Sequence, residues 1–333
     1  MIDYPLIWGI LIATAILIYV ILDGFDLGVG ILFPFLESDE QRSTAMNTVA
    51  PVWDGNETWL ILGGGGLFAT FPLAYAVLMP ALYMPVLLMM IGLIFRGVSF
   101  EYRFQDKAHE KYWDFAFTGG SMLAALCQGI ALGAFVQGID VVDRAYAGGW
   151  WDWLSPFSLL TGIALVIGYS LLGSTWLVMR TEGALREKAI RYSRITLLLT
   201  IGFIFLISLA TLSLDPQFMT RWTSWPYMLY ASPVPILVAA AGLYAWKSLG
   251  HDKDYKAFLS AITLFILCFI GLAIDMYPYI VPMELTLWQA AAPDNSLSFL
   301  LVGTLFLLPM ILGYTAYAYW VFRGKVKDGE GYH

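Results

Sequence analysis

The chain has 333 residues, 59% of them hydrophobic and 13% charged, with a mean hydropathy of +0.71. That charged share is about half of what soluble domains carry, which excludes a soluble globular protein. The net charge of −7, with no basic cluster interleaved with aromatics, excludes a nucleic-acid partner.

Long apolar runs instead predict an all-α integral membrane protein embedded in the lipid bilayer. They divide into nine expected transmembrane spans, over 7–36, 49–71, 75–95, 115–139, 156–179, 195–214, 228–246, 257–274 and 297–322. The first lacks a basic flank before it and a small-residue cleavage site after it, so it is expected to be retained. It contains Asp23-Gly-Phe-Asp-Leu-Gly-Val-Gly30, where Asp23 and Asp26 interrupt an apolar helix. At ~1.5 Å rise per residue Asp23 lies ~24 Å from Ile7, in a hydrocarbon layer ~30 Å thick. Each such acid costs up to ~3 kcal/mol at mid-membrane, so an intramembrane carboxylate is a functional hypothesis by default. Three residues apart, the two share a helix face.

The second span opens with polar residues, Pro51-Val-Trp-Asp-Gly-Asn-Glu-Thr-Trp59, which sets Asp54 and Glu57 three apart in the same way. Its Gly63-Gly-Gly-Gly66 lacks the Lys-Ser/Thr of a phosphate loop, so close packing by a neighbouring helix is expected. The turn Pro72-Leu-Ala leads to the third span, in which Pro80 and Pro85 predict a kink. That span ends in Phe95-Arg-Gly-Val-Ser-Phe-Glu-Tyr-Arg103, which adds Glu101 and Arg96. In the fourth, Gly129-x-x-x-Gly133 predicts another close helix approach, while Gln128 and Gln137 could bond either another helix or a bound head group. Trp150, Trp151 and Trp153 suit an aromatic belt, and Trp53 and Trp59 are likewise expected to be interfacial anchors. The loop from Asp275 to Asp294 has no Lys or Arg, and Pro278 and Pro282 keep it from being helical throughout. No linker or clear repeat divides the chain.

Basic residues set the expected orientation. Of the 18 Lys and Arg, 16 fall in the odd-numbered loops and the tail, and only Arg144 and Arg221 in the even-numbered loops. The N-terminus is then outside and the C-terminus cytoplasmic. This topology brings Asp23, Asp26, Asp54 and Glu57 to one depth on the cytoplasmic side, with Glu101 and Arg96 nearby. A carboxylate desolvated beside others can exchange protons near neutral pH, so these acids are candidates for a proton path. Helix-to-helix bonding and ion pairing is the rival reading of the same residues.

Cys127 and Cys268 lie inside apolar spans as small packing residues. His109, His251 and His333 all fall in polar loops or the tail, so no span offers a histidine ligand to a haem; with thirteen Met, ligation by methionine stays open. No Ser/His/Asp constellation or carboxylate–His metal cluster is visible.

The three motifs around Asp23, Trp53-Asp-Gly-Asn-Glu-Thr-Trp59 and Arg96, together with Tyr277-Pro-Tyr-Ile-Val-Pro282, resemble subunit II of the cytochrome bd-type quinol oxidases. The resemblance covers essentially the whole chain, and the compact length and Glu57-Thr58 look closer to the cyanide-insensitive branch. It implies two four-helix bundles plus a peripheral helix, here 1–139 with the acids, 156–274, and 297–322. It implies no cofactor bound by this chain, with b-type and d-type haems in a larger partner, subunit I, and quinol as the substrate of the complex. A structural quinone is placed in this subunit in some members only, and a small single-helix accessory subunit is a further partner that the resemblance allows. Asp54 matches an acid on a proton path from the cytoplasm, and Asp23 and Asp26 match acids of that neighbourhood. Some members have Asp where Glu101 stands, and Trp59 matches a Trp near the mouth of an oxygen route. The expected function is a scaffold and proton conductor in an oxygen-reducing complex of the bacterial cytoplasmic membrane. The alternatives are a proton-coupled secondary transporter, against which stand the charge-free later spans and the lack of repeats, and a purely structural partner.

Overall fold

The computed structural model describes residues 2–251 and 253–326; Lys327 and His333, counted above, lie outside them. Helix α1 (Tyr4–Leu32) starts from a cap in which Asp3 Oδ1 accepts the Leu6 N–H at 3.1 Å. Pro5 stands in its first turn, where a missing N–H costs nothing. From Asp23 to Leu32 every residue is buried, so this half of α1 is enclosed on all sides rather than along one stripe.

Around it run α2 (Asp39–Val49), α3 (Trp53–Thr70), α4 (Pro72–Ala81), α5 (Tyr83–Gln105), α6 (Glu110–Gln137) and α7 (Pro156–Arg180). There follow α8 (Gly183–Leu212), α9 (Pro216–Thr223), α10 (Tyr227–Ala231), α11 (Pro233–Ser248), α12 (Tyr255–Met276), α13 (Leu287–Ala290) and α14 (Asp294–Val321). Two short hairpins, β1 (Val141–Val142) with β2 (Ala145–Tyr146) and β3 (Tyr279–Val281) with β4 (Leu285–Thr286), fill the longest connections. Among the described residues, eight helical segments are long and apolar enough to cross a membrane. The expected second span is helical as α3, but its opening Trp53–Thr58 is too polar for it to join that set.

Two expectations need adjusting. The span expected over 75–95 is broken at Leu82 (φ −106°, ψ 15°), and α5 runs on to Gln105. Pro80 and Pro85 lack the N–H groups that would bond the carbonyls four residues earlier, so the kink becomes a helix break. Helix α2 arises where no apolar period predicts one. Ser38 caps it by accepting the Gln41 N–H at 3.2 Å, and Asp39 and Glu40 occupy its positive first turn.

Close crossings rest on glycine. A Cβ on Gly28 would come within 2.8 Å of the Gly173 nitrogen, so α1 and α7 meet backbone to backbone. Gly129 is set against Gly162 in the same way, as the Gly129–Gly133 spacing predicts. Of the four consecutive glycines, Gly63 and Gly66 face Ile16 and Ile12 of α1, whereas Gly64 and Gly65 have nothing within 4 Å.

The two ends differ in kind. At the end where α1 begins, hydrogen bonds tie the chain: Trp8 Nε1 donates to the Leu297 carbonyl at 3.0 Å, Trp288 Nε1 to Asp3, and Trp222 Nε1 to Asp275 at 2.8 Å. At the other end ion pairs do so. Arg103 binds Asp114 at 2.6 Å and Glu110 at 2.9 Å, and Arg186 and Lys325 bind Asp254 at 2.6 and 2.8 Å. Lys325 also donates to the Thr181 carbonyl, so the segment after α14 straps the start of α8 to the α11–α12 connection.

Gly173→Ala should lower the unfolding free energy in detergent by about 1–3 kcal/mol through overpacking, whereas Gly202→Ala, with open space around it, should change it by less than ~0.5 kcal/mol. Thermal melts of the two variants check this. Burial pushes the Asp254 carboxyl up, but hydrogen bonds from Arg186 and Lys325 and their charges outweigh it and hold it below the usual range. A depressed folded pKa gives stability that is present above the unfolded value of about 3.9 and lost as pH falls through the folded one. The gap in melting temperature between wild type and Asp254→Asn should therefore be full and constant above about pH 4 and close progressively as pH falls below it.

Candidate functional site

The site is built where α1, α3 and α5 converge. Asp23, Asp26 and Arg96 are each 0% exposed and Asn56 is 1% exposed, so none of them reaches water directly. Arg96 reaches Asp23 because α5 lies hard against α6: a Cβ on Gly92 would come 2.7 Å from the Gly120 carbonyl oxygen, and one on Gly120 2.8 Å from the Arg96 nitrogen. The guanidinium is thus directed toward α1. Its Nη1 donates to Asp23 Oδ1 at 2.6 Å and its Nη2 donates to Glu57 Oε1. The Glu57 side chain is 25% exposed and marks the wet edge of the cluster. Trp53 closes one side, stacked on Phe100 at 5.1 Å with the guanidinium 5.7 Å from its ring centre.

Asp26 is held differently. Asn56 Nδ2 donates to Asp26 Oδ2 at 2.7 Å, and Tyr319 of α14 donates its hydroxyl to Asn56 Oδ1 at 2.9 Å. A second polar chain lies one turn deeper. Gln128 Nε2 donates to the Tyr19 hydroxyl at 2.6 Å, and the Tyr169 hydroxyl donates to Gln128 Oε1 at 2.6 Å. Gln128 therefore bonds other helices, while Gln137 accepts from Ser155 Oγ at the head of α7.

Of the five acids singled out from sequence, the structure gathers three, Asp23, Asp26 and Glu57, and leaves two outside. Asp54 is exposed on α3, near enough for its charge to act on Glu57. Glu101 is exposed and accepts a hydrogen bond from Gln105 at 2.8 Å. Trp59 is not an interfacial anchor: it is 1% exposed and walls an apolar cavity of about 70 Å³ with Trp8, Ile12, Ala15 and Leu308. Trp153 is also buried, while Trp150 and Trp151 are exposed as a belt requires.

Sequence reasoning missed Asn56, Tyr19, Tyr169 and Tyr319. Asn56 stands inside the quoted motif next to Glu57, and Tyr19 lies one helical turn before Asp23, so helical spacing could have found both. Nothing in the sequence points to Tyr169 or Tyr319, which arrive from distant helices.

Chemically the cluster is one guanidinium for three carboxyls in a low-dielectric wall. Such a pair costs several kcal/mol per ion to desolvate and holds only when its hydrogen bonds are satisfied. Among the described residues, no group of three or more His, Cys, Asp and Glu side chains could hold a metal ion.

Fold and site together define a polytopic, all-helical integral membrane protein with a carboxylate–guanidinium cluster in its interior. The chain belongs to the cytochrome bd terminal oxidase subunit II family, whose model matches residues 4–322, and it is accordingly a subunit of an oxidoreductase complex. It is 30% identical to cytochrome bd-I ubiquinol oxidase subunit 2 of Escherichia coli, over 99% of this chain and 98% of the relative. It is 27% identical to cytochrome bd ubiquinol oxidase subunit 2 of Bacillus subtilis, over 97% of each. Its fold is similar to a chain of the bd oxidase from Geobacillus thermodenitrificans, with a TM-score of 0.78 at 16% identity, covering 96% of this chain and 99% of that one.

Arg96→Gln strands Asp23 as a buried, unpaired charge and should cost about 3–5 kcal/mol. Adding Asp23→Asn should recover part of that loss, a coupling between the two sites that a double-mutant cycle of thermal melts measures.

Proposed function

We propose that this chain is the haem-free subunit of a bd-type quinol oxidase, which scaffolds the haem-bearing partner and feeds it protons from the cytoplasm. The observation that carries the reading is the acid sequence from wet to dry. Asp54 is exposed, Glu57 is half-buried beside it, and Asp23 and Asp26 are fully buried behind Arg96. Protons would enter at Asp54, with Glu101 at the same mouth. Quinol would be the substrate of the complex, in keeping with the ubiquinol oxidase names of the relatives.

The orientation, N-terminus outside and C-terminus cytoplasmic in a bacterial inner membrane, is supported by the gathering of Arg42, Arg103, Arg186 and Lys325 at one end. The reading of nine spans then counts α3 as the second, its polar start facing the cytoplasm. Among the described residues of α14 only Leu297 is buried, which supports taking 297–322 as a peripheral helix beside bundles at 1–139 and 156–274.

The described histidines give no support to a haem held by this chain. His109 and His251 are exposed at helix ends, not buried between helices, so the b- and d-type haems are assigned to subunit I and no step here runs through them. The chemistry those groups supply is electron transfer to oxygen; this chain's part is to hold and pass protons. The mainly apolar cavity beside Trp59 suits a small apolar molecule, which supports reading it as part of an oxygen route.

A structural role has its own support, because Arg96 bonds both Asp23 and Glu57 and ties three helices together. Asp54→Asn separates the two roles. On the conducting reading, quinol-driven oxygen consumption falls roughly ten-fold or more, about 1.4 kcal/mol or more of barrier, with the haem spectrum intact. A normal rate with intact haems would remove Asp54 from the path, and a loss of haem content would favour the structural role.

A further inference from the structure

The charge and hydrogen-bond count around Asp26 does not close with three ionised carboxylates. Arg96 is 0% exposed, and its two terminal nitrogens are taken by Asp23 Oδ1 and Glu57 Oε1. Asp26 receives only a neutral amide N–H, from Asn56 to its Oδ2 at 2.7 Å. The amide is in turn fixed by the Tyr319 hydroxyl on its oxygen, so it cannot turn to offer Asp26 anything else. The groups facing Asp26 are thus Asn56 and Glu57 from α3, Arg96 from α5, Tyr319 through Asn56 from α14, and Asp23 on its own helix. The one cation among them is already bonded to two other carboxylates.

Two oxygens are left over. Among the described residues, Asp26 Oδ1 and Asp23 Oδ2 are both buried and neither is met by a donor at hydrogen-bond distance and angle, although Tyr19, one turn before Asp23, accepts from Gln128 and keeps its own hydroxyl hydrogen to offer Asp23. They belong to residues three apart on one helix face, where side chains are neighbours. Two ionised carboxylates placed so would each present a bare, buried acceptor to the other, an arrangement that is expensive for both. A protonated carboxyl, by contrast, is a donor as well as an acceptor. One proton therefore answers the deficit at Asp26: it neutralises the acid that has no cation and turns its bare acceptor into a donor that Asp23 can accept.

We infer that Asp26 carries a resident proton on Oδ1, directed at Asp23 Oδ2, so that the resting cluster is Asp23⁻, Arg96⁺ and a neutral Asp26, with Glu57 completing it at the wet edge. The O–H bond of Asp26 stays intact in this state, and the hydrogen bond to Asp23 is what locks the two acids of α1 together. The inference is about where a proton resides and holds whether or not protons pass through the cluster. It also gives the two aspartates separate duties. Asp23 is the counter-ion of Arg96, and Asp26 is a neutral donor that positions it.

The test is infrared spectroscopy of the purified complex at neutral pH, in H2O and D2O, on wild type, Asp26→Asn and Asp23→Asn. The expected result is a carbonyl-stretch band of a protonated carboxylic acid, sensitive to deuterium, that is lost in Asp26→Asn. Asp23→Asn, where assembled, should retain and shift it, since its acceptor has changed. Loss of a carboxylate band in Asp26→Asn, with the protonated-acid region unchanged, would overturn the inference. Assembly gives a second reading. An amide mimics a neutral acid, so Asp26→Asn should assemble and melt close to wild type, while Asp23→Asn should melt well below it. Failure of Asp26→Asn to assemble, or a melting loss as large as that of Asp23→Asn, would show that the charge is needed at Asp26 and would also overturn it. Turnover enters neither reading, so these outcomes are independent of the Asp54→Asn experiment.

Discussion

The guanidinium of Arg96 between Asp23 and Glu57 is the interaction on which the rest of this structure depends. In the interior of a membrane protein an ion pair is not a cheap source of stability, because desolvation offsets most of the Coulombic gain. What it does supply is intolerance of misplacement. Once three helices each contribute one member, any register shift leaves a buried charge alone, and the penalty is several kcal/mol. The pair specifies the relative positions of α1, α3 and α5 more than it stabilises them, and the polar chains through Asn56 and Gln128 extend that specification to α14, α6 and α7.

Holding the pair in place requires close backbones, because lipid gives helices no hydrophobic reason to associate. Dispersion contacts and small residues take over. Gly28 on Gly173 and Gly92 on Gly120 bring α1 to α7 and α5 to α6 at distances no side chain would permit. The same crossings explain why the second half of α1 is buried all round. An acid placed there is out of reach of water whichever way it turns, which is why its partners must come from the protein.

Much of this was legible in the sequence. The apolar runs gave the helices, the Gly129–Gly133 spacing gave a crossing, and the three-residue spacing of Asp23 and Asp26 gave a shared face. The phase of α3 was harder to read. Asp54 and Glu57 have the same spacing, yet the buried positions of α3 are Asn56, Trp59, Gly63 and Thr70, a stripe that meets α1 through Asn56 and Gly63. At about 100° per residue that stripe leaves Glu57 on its flank and Asp54 on the far side. A spacing argument sees that two residues share a face but not which face is inside. The glycine and tryptophan of the same helix carried that information. Tyr169 and Tyr319 were beyond reach for a different reason, since only packing brings α7 and α14 to the acids.

The asymmetry between the two ends bears on how such a cluster can exchange protons at all. The end where α1 begins is closed by tryptophan hydrogen bonds, hairpins and an apolar core of Trp8, Phe71, Ala74 and Val281. The opposite end is dense with carboxylates and bases in mutual contact, Arg103 with Asp114 and Arg186 with Asp254 among them. A proton reaching Asp23 or Asp26 from the first end would have to cross apolar packing. On the proposed path, a proton from the second end would meet Asp54, exposed on α3, and then Glu57, whose side chain is 25% exposed. The proposed path therefore starts at the second end, because Glu57 is the member of the cluster that remains partly exposed.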